Sequence, residues 1–343
     1  MARAYAADLS GGGIADLEER VAELEAHTSR KGNRKQSLEI SGHIASEVFF
    51  LDERDSTTSI EDDGASPTRF RLKGSAKIDQ SWSAGFLLEI QPQFAEGDTF
   101  ARLSYLWIND KTLGTVQLGL QSLPTDGAGQ TDLGKTGVAS RMLSTNFFSR
   151  ALFKADDLFG FDGDRAPAVA WWSPEIYGLT VGVALVDDDE YEGAIRYAKA
   201  RHGIQFAISA GYRRDRGAWN LSDTDTYVGS ASLKHVETGL FISAGGGIRD
   251  ADGFARQEIY EVRGGKVAKL LTMGTTTFFG RFERGEVEFS KRFGGDAEIY
   301  GAGIIQNVDP AAMELYFTWD HIDAPGLGLS EDDVFRIGSR VKF

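Results

Sequence analysis

The chain of 343 residues carries a net charge of −14, with 41 glycines, 7 prolines and no cysteine. A disulfide framework and thiolate metal sites are thereby excluded, and the acidic balance argues against a nucleic-acid partner. No apolar run approaches the roughly 18 residues of a membrane helix, so any passage through a bilayer must be made by strands, whose alternating residues cancel in a hydropathy average.

The chain opens on a small-x-small pattern, Ala4-Tyr5-Ala6 before Ala7, without the apolar run of a secretory signal. Residues 1–6 are read as a signal remnant, with Ala7 as the mature start. From Gly13 to Arg30 the period is helical: Ile14, Leu17, Val21, Leu24 and Thr28 sit at the a and d spacings of a coiled coil, and Glu18, Glu19, Arg20, Glu23 and Glu25 cover the rest. A lone helix below about 12–15 residues is marginal in water. The expectation over 7–35 is therefore an oligomerising coiled-coil helix, with packing on its own barrel as the alternative. The linker Arg30-Lys31-Gly32-Asn33-Arg34-Lys35 follows, basic enough to rest on anionic headgroups or the cell wall.

From Ser37 onward the period is two. In 38–50, Leu38, Ile40, Ile44, Val48 and Phe50 share one face, with Glu39, Ser41, His43 and Glu47 on the other. In 82–94, Trp82, Ala84, Phe86, Leu88 and Ile90 oppose Ser83, Gly85, Glu89, Gln91 and Gln93; 204–213 repeats the pattern. A Glu, Gln, Arg and Gly face opposite an Ile, Phe and Trp face fits water inside and lipid outside. About sixteen segments read this way: 37–51, 67–79, 82–93, 98–109, 114–122, 167–175, 178–187, 191–200, 203–213, 225–234, 238–247, 257–268, 274–284, 296–307, 311–322 and 333–343. Short connections (79–81, 109–113, 200–203, 307–311) alternate with longer, polar ones (52–66, 123–166, 214–224, 284–296, 321–332), as in a transmembrane barrel. Trp82, Tyr105, Trp107, Trp171, Trp172, Trp219, Tyr227 and Trp319 lie near strand ends, where interfacial girdles sit, although ordinary β-propensity gives the same placement.

The connection 123–166 is outsized, and such a loop is functional or disordered. Its Met142, Leu143, Phe147, Phe148, Leu152, Phe153, Leu158, Phe159 and Phe161 favour order. A barrel of about sixteen strands encloses an aqueous channel that this loop would narrow by folding inward. Its acids Asp126, Asp132, Asp156, Asp157, Asp162 and Asp164 would then face the lumen. On the wall Arg69, Arg71 and Lys73 share one face, and Arg102 takes the inward parity of the fourth strand. Acids on the loop and bases on the wall would set a transverse field that weights ions by sign. The chain ends on VFRIGSRVKF, where Phe335, Ile337, Val341 and Phe343 alternate with Arg336, Gly338, Arg340 and Lys342.

LEERVAELEA, RKGNRK and SLEISGHI in succession, GTVQLGLQS leading into a long loop, and the terminal Phe343 together resemble alphaproteobacterial outer-membrane porins. The resemblance runs over essentially the whole chain and is strongest at 17–42, 113–137, 300–307 and the last strand. It implies a homotrimer of sixteen-stranded antiparallel β-barrels (36–343), each with its third loop folded inward, passing small hydrophilic solutes by diffusion. It also implies that the helix bearing Ile14, Leu17, Val21 and Leu24 trimerises in the periplasm, and that the barrel-assembly machinery reads Phe343. The eyelet acids carry over only collectively; Arg141, Arg150, Lys154 and Arg165 in the same loop depart from simple cation selectivity.

An enzyme is not expected, since His27, His43, His202, His235 and His321 share no nucleophile motif. No cofactor or metal is expected; the acidic loop tips 61–63 and 187–190 read as solvated, with Ca²⁺ bridging them to lipopolysaccharide as the alternative. Two other readings stay open: a substrate-selective channel, which needs aromatics or a binding cluster in the lumen, and a structural or adhesive envelope trimer, which needs a longer coiled coil.

Overall fold

The structure, a computed structural model, describes residues 28–29, 36–51, 57–61, 65–93, 98–143, 161, 165–186, 190–216, 223–251, 255–290, 293–324 and 332–343. Sixteen long strands close on themselves. They are β1 (Gln36–Leu51), β2 (Arg69–Lys77), β3 (Trp82–Gln93), β4 (Asp98–Asp110), β5 (Gly114–Ser122), β6 (Arg165–Trp172), β7 (Leu179–Val186) and β8 (Tyr191–Arg201). The second half holds β9 (Ile204–Asp215), β10 (Thr224–His235), β11 (Leu240–Ala251), β12 (Ala255–Leu271), β13 (Gly274–Ser290), β14 (Phe293–Val308), β15 (Met313–Asp323) and β16 (Asp332–Lys342). Every strand pairs antiparallel with its sequence neighbours, and β16 returns to β1 from Val334↔Leu51 to Lys342↔His43. Two minor segments, Thr28–Ser29 and Thr57–Glu61, add to β1.

The alternation reads inside out relative to a water-soluble core. Ile44, Leu106, Leu118, Leu185, Ile195 and Ile242 are between 53% and 68% exposed, whereas Glu89, Glu261, Arg263 and Glu283 are at most 1% exposed. Soluble proteins almost never bury unpaired charge while leaving contiguous aliphatics bare. A barrel with lipid outside and polar groups inside does so on every strand. Outward aromatics cluster across strands, Tyr212 with Tyr191 (6.1 Å) and Tyr227 (5.0 Å), and Phe282 with Tyr260 (6.0 Å) and Tyr300 (5.0 Å).

The seam needs particular residues. β1 pairs with β2 only up to His43↔Arg69, and with Thr57–Glu61 from Glu47 onward. Between those ladders Thr68 Oγ1 accepts the Ala45 N–H (3.0 Å) and donates to its carbonyl (3.2 Å), so no buried backbone group is stranded. At the other end Gly42 and Phe343 exchange two backbone hydrogen bonds, 2.9 and 3.1 Å, and a Cβ on Gly42 would stand 2.8 Å from the Phe343 ring. On the short-turn side Asp79 Oδ1 accepts the Ser81 and Trp82 amides, each at 2.8 Å, which holds its carboxyl below the usual range.

Three expectations change. Thr28 and Ser29 are extended rather than helical, pairing with Glu39 and Leu38. Because β16 stops opposite Gly42, that stretch of β1 has an open ladder edge on which a short extended segment can pair. The coiled-coil positions Ile14, Leu17, Val21 and Leu24 lie outside the described residues. Second, the connection expected at 284–296 is mostly strand, since β13 and β14 pair out to Ser290↔Phe293. Arg284 pairs there with Glu298 (3.0 Å) and Asp296 (3.4 Å), and Arg256 with Glu258 (2.7 Å), an outward charged fringe that belongs in water. Third, Tyr105, Trp107 and Trp172 leave the girdle set: they share the inward face, Trp107 against Gly85 and Trp172 under Arg196 at 5.1 Å.

Replacing outward Ile208 by Lys is expected to cost about 2–4 kcal/mol of barrel stability, read from denaturant unfolding out of lipid vesicles.

Candidate functional site

The inward faces of β2, β3 and β4 converge on one carboxylate. Arg71 faces Glu89 in the β2–β3 register and donates to its Oε2 from Nε (2.9 Å) and Nη2 (2.5 Å). Arg102 Nε lies 2.9 Å from the other oxygen and Arg69 Nη1 3.8 Å from it. Arg102 also donates to Gln91 Oε1 at 2.8 Å. Glu89 is 1% exposed, and three guanidiniums on one buried acid leave a surplus of positive charge. The charges of Arg141, in the segment joining β5 to β6, and of Arg165, the first residue of β6, act on both Arg69 and Arg102. Lys73 keeps the same parity but stands apart, exposed, with Glu39 and Leu87 as its register partners.

Arg102 faces inward for a reason alternation alone does not supply. Asn109, Trp107, Tyr105 and Leu103 are the inward series of β4, which would turn residue 102 outward. The register slips between Glu89↔Leu103 and Ile90↔Ala101, leaving Arg102 as the extra residue of a β-bulge. Such a bulge re-aims one side chain, here onto Glu89 and Gln91.

Residues 123–143 lie against the polar faces of β8 and β10–β12. Thr125 donates its amide (3.1 Å) and hydroxyl (2.6 Å) to buried Glu192 of β8, and Arg196 Nη2 donates to the Asp126 carbonyl (2.5 Å). On β10, Ser230 donates to the Ala128 carbonyl (2.7 Å) and accepts the Thr131 amide (2.9 Å), and Ser232 accepts the Leu133 amide (3.0 Å). On β12, Glu261 accepts the Leu143 amide (2.9 Å), and Arg263 donates to the Ser140 carbonyl (2.6 Å), to Thr136 and to Glu261. Apolar contacts match: Val138 and Ala139 pack with Phe241, Phe279, Ile305 and Tyr316, and Ala128, Leu143 and Phe161 with Val228 and Ile259. These inward aliphatics and aromatics run against the expectation of an inward face of Glu, Gln, Arg and Gly; their sequence signal was apolar residues at inward parity on β10–β15. Beyond the segment, Arg281 pairs with Asp320 (2.8 Å) and Glu283 (3.3 Å), and Arg336 with Asp320 (2.9 Å).

Of the expected acids, Asp132 accepts the amides of Gly134 (2.8 Å) and Thr136 (2.7 Å) and the hydroxyls of Thr136 (2.6 Å) and Ser243 (3.1 Å), so its carboxylate organises the segment's own turn. Asp126 holds Arg196 through its backbone, while Asp156, Asp157, Asp162 and Asp164 lie outside the described residues. Glu89, the centre of the cluster, was visible in sequence only as an inward residue of the third segment; Glu192, Glu261 and Arg263 gave no separate signal. Among the described residues no three His, Asp or Glu side chains form a group able to hold a metal ion.

A charge-assisted hydrogen bond contributes about 1.5–3 kcal/mol. Glu192→Ala should therefore raise exchange of the Thr125 amide by about 10–100-fold in hydrogen-exchange measurements, with the β8 amides little changed.

Residues 4–333 match the profile of a family described as Gram-negative porin. No curated protein matches the chain. Among solved structures, the anion-selective porin from Comamonas acidovorans has TM-score 0.66 at 16% identity, covering 90% of this chain and 100% of that one. The trimer form of OmpT, an outer membrane protein of Vibrio cholerae, gives 0.63 at 13% over 90% and 99%. The Salmonella typhi OmpF complex with daunomycin gives 0.60 at 11% over 90% and 98%. At these identities the superpositions speak for the fold alone. The profile match spans nearly the whole chain, and the structure is a closed sixteen-stranded barrel; the chain belongs to the Gram-negative porin family of outer-membrane channels.

Proposed function

We propose that the protein is a homotrimeric, water-filled porin of the alphaproteobacterial type, passing ions and small hydrophilic solutes, with residues 123–166 folded inward as its constriction. The observation that carries this reading is the placement of 123–143. Its hydrogen bonds go to Glu192, Ser230, Ser232, Glu261 and Arg263, all on the face opposite the exposed aliphatics. A segment held there narrows the lumen from the β8–β15 side and leaves the basic β2–β4 wall facing water.

Selectivity in this reading comes from that wall. Arg69, Arg71 and Arg102 share Glu89, and the charges of Arg141 and Arg165 act on Arg69 and Arg102, so the narrowed lumen favours anions. Lys73 extends the wall, and Asp126, Asp132, Asp156, Asp157, Asp162 and Asp164 are the loop acids that temper it. The periplasmic helix with Ile14, Leu17, Val21 and Leu24 would join three copies, an arrangement supported by the trimer form of the Vibrio cholerae protein. Phe343 would be the residue read by the barrel-assembly machinery. The basic linker 30–35 would touch the cell wall, and the acidic loop tips lipopolysaccharide.

The test is the reversal potential of the purified protein in a planar bilayer under a KCl gradient. Ohmic conductance with an anion-selective potential is expected. A unit charge about 4 Å from an ion in water is worth about 1 kcal/mol, so Glu89→Gln should raise the chloride-to-potassium permeability ratio, and Arg71→Gln lower it, each by up to about fivefold. A cation-selective potential would overturn the basic-wall reading, and absence of conductance the channel itself.

A further inference from the structure

The β4 wall carries aromatic rings beside its arginines. Trp107 and Tyr105 face inward, opposite Gly85 and Leu87 of β3. The bulge at Arg102 brings Phe100 back to the same face, opposite Gln91. Phe100, Arg102, Tyr105 and Trp107 therefore follow one another down one wall. Phe100 is 40% exposed, and Tyr105 and Trp107 are partly exposed. Wet aromatic surface costs free energy that serine or glycine at the same positions would not.

Trp107 is also not filling a core. Its Cζ2 and Cε2 lie 2.6 and 2.7 Å from where a Cβ on Gly85 would stand, so the ring rests against the bare backbone while part of it stays exposed.

Registers place cations on neighbouring rungs of the same wall. Arg71, Glu89 and Leu103 share one rung; Lys73, Leu87 and Tyr105 the next; Ser75, Gly85 and Trp107 the one after. At about 3.4 Å per residue, successive rungs are about 7 Å apart, on the scale of one small aromatic acid. Arg71 keeps 40% of its side chain exposed despite its pairing with Glu89, and Tyr105 lies within reach of both charges. A guanidinium fork matches a carboxylate, and a seated indole matches a flat ring. Inorganic phosphate would leave the rings unused, and a neutral sugar would leave the cations unused.

We propose that the β2–β4 wall is a binding track for small aromatic carboxylates, with the ring stacked on Tyr105 and Trp107 and the carboxylate paired to Arg71 and then Lys73. The proposal rests on the channel reading above and names the solute class that channel retains.

The test uses the full-length protein in a planar bilayer in KCl, titrated with sodium benzoate and, separately, with cyclohexanecarboxylate, acetate and glucose. Benzoate should block the current saturably, at a half-blocking concentration about fivefold or more below that of cyclohexanecarboxylate. Trp107→Ala should raise that concentration by about fivefold, and Trp107→Phe, which keeps a ring on Gly85, should restore most of the difference. Each variant is read against its own open-channel current. Channels that conduct KCl but are blocked equally by benzoate and cyclohexanecarboxylate, by glucose in preference to benzoate, or by none of the solutes overturn the proposal and leave the channel reading intact. Absence of KCl conductance in the parent protein overturns both.

Discussion

Hydrocarbon offers a peptide group no hydrogen-bond partner, so each amide in a lipid-crossing strand must find one in a neighbouring strand. The molecule is organised around that demand. It joins β16 to β1, has Thr68 satisfy Ala45 where two ladders leave a gap, and has Gly42 and Phe343 exchange their last two hydrogen bonds. It also dictates parity. Once the sheet is closed, each residue faces lipid or lumen, and a one-residue shift exchanges the two sets along a whole strand. A bulge is then the economical way to move a single side chain across, and β4 uses one to turn Arg102 inward.

Closure creates an interior that water can enter, and the segment 123–143 makes part of it dry. Where that segment lies on β8 and β10–β15, the wall supplies Phe241, Phe279, Ile305 and Val228 for its apolar residues, and Glu261, Arg263 and Glu192 for its backbone. Charges buried this way must be paired, since breaking one partner of a buried pair is far more costly than removing both. The pairs Glu261–Arg263 and Arg281–Asp320 meet that condition. The interior is consequently asymmetric. One side is packed around paired charges; the other, on β2–β4, keeps Lys73 and part of Arg71 exposed and carries more guanidinium than carboxylate.

That asymmetry gives a channel chemistry. A plain water-filled cylinder sorts solutes by size alone, whereas one charged wall opposite a packed one imposes a field on whatever passes. The rings of Tyr105 and Trp107 lie on the charged side, so in the proposed channel charge and stacking would act on the same solute.

Most of the barrel was legible in the sequence. Period-two alternation reports which side of a strand meets lipid, and it placed the strands to within a few residues because lipid tolerates no exceptions in mid-strand. Arg69, Arg71 and Lys73 were readable as one inward row for the same reason. The fringe on β13 and β14 was not, because outside the bilayer either face can be polar and alternation stops marking where a strand ends. The site was legible only in part. Glu89 as the shared partner of three arginines, the bulge at Arg102, Trp107 seated on Gly85, and the use of Asp132 in its own turn all depend on which strand residues stand opposite one another. Sequence determines the face of most strand residues through local periodicity. Register, bulges and the path of a long loop are set by contacts between residues far apart in the chain, and only the closed structure decides them.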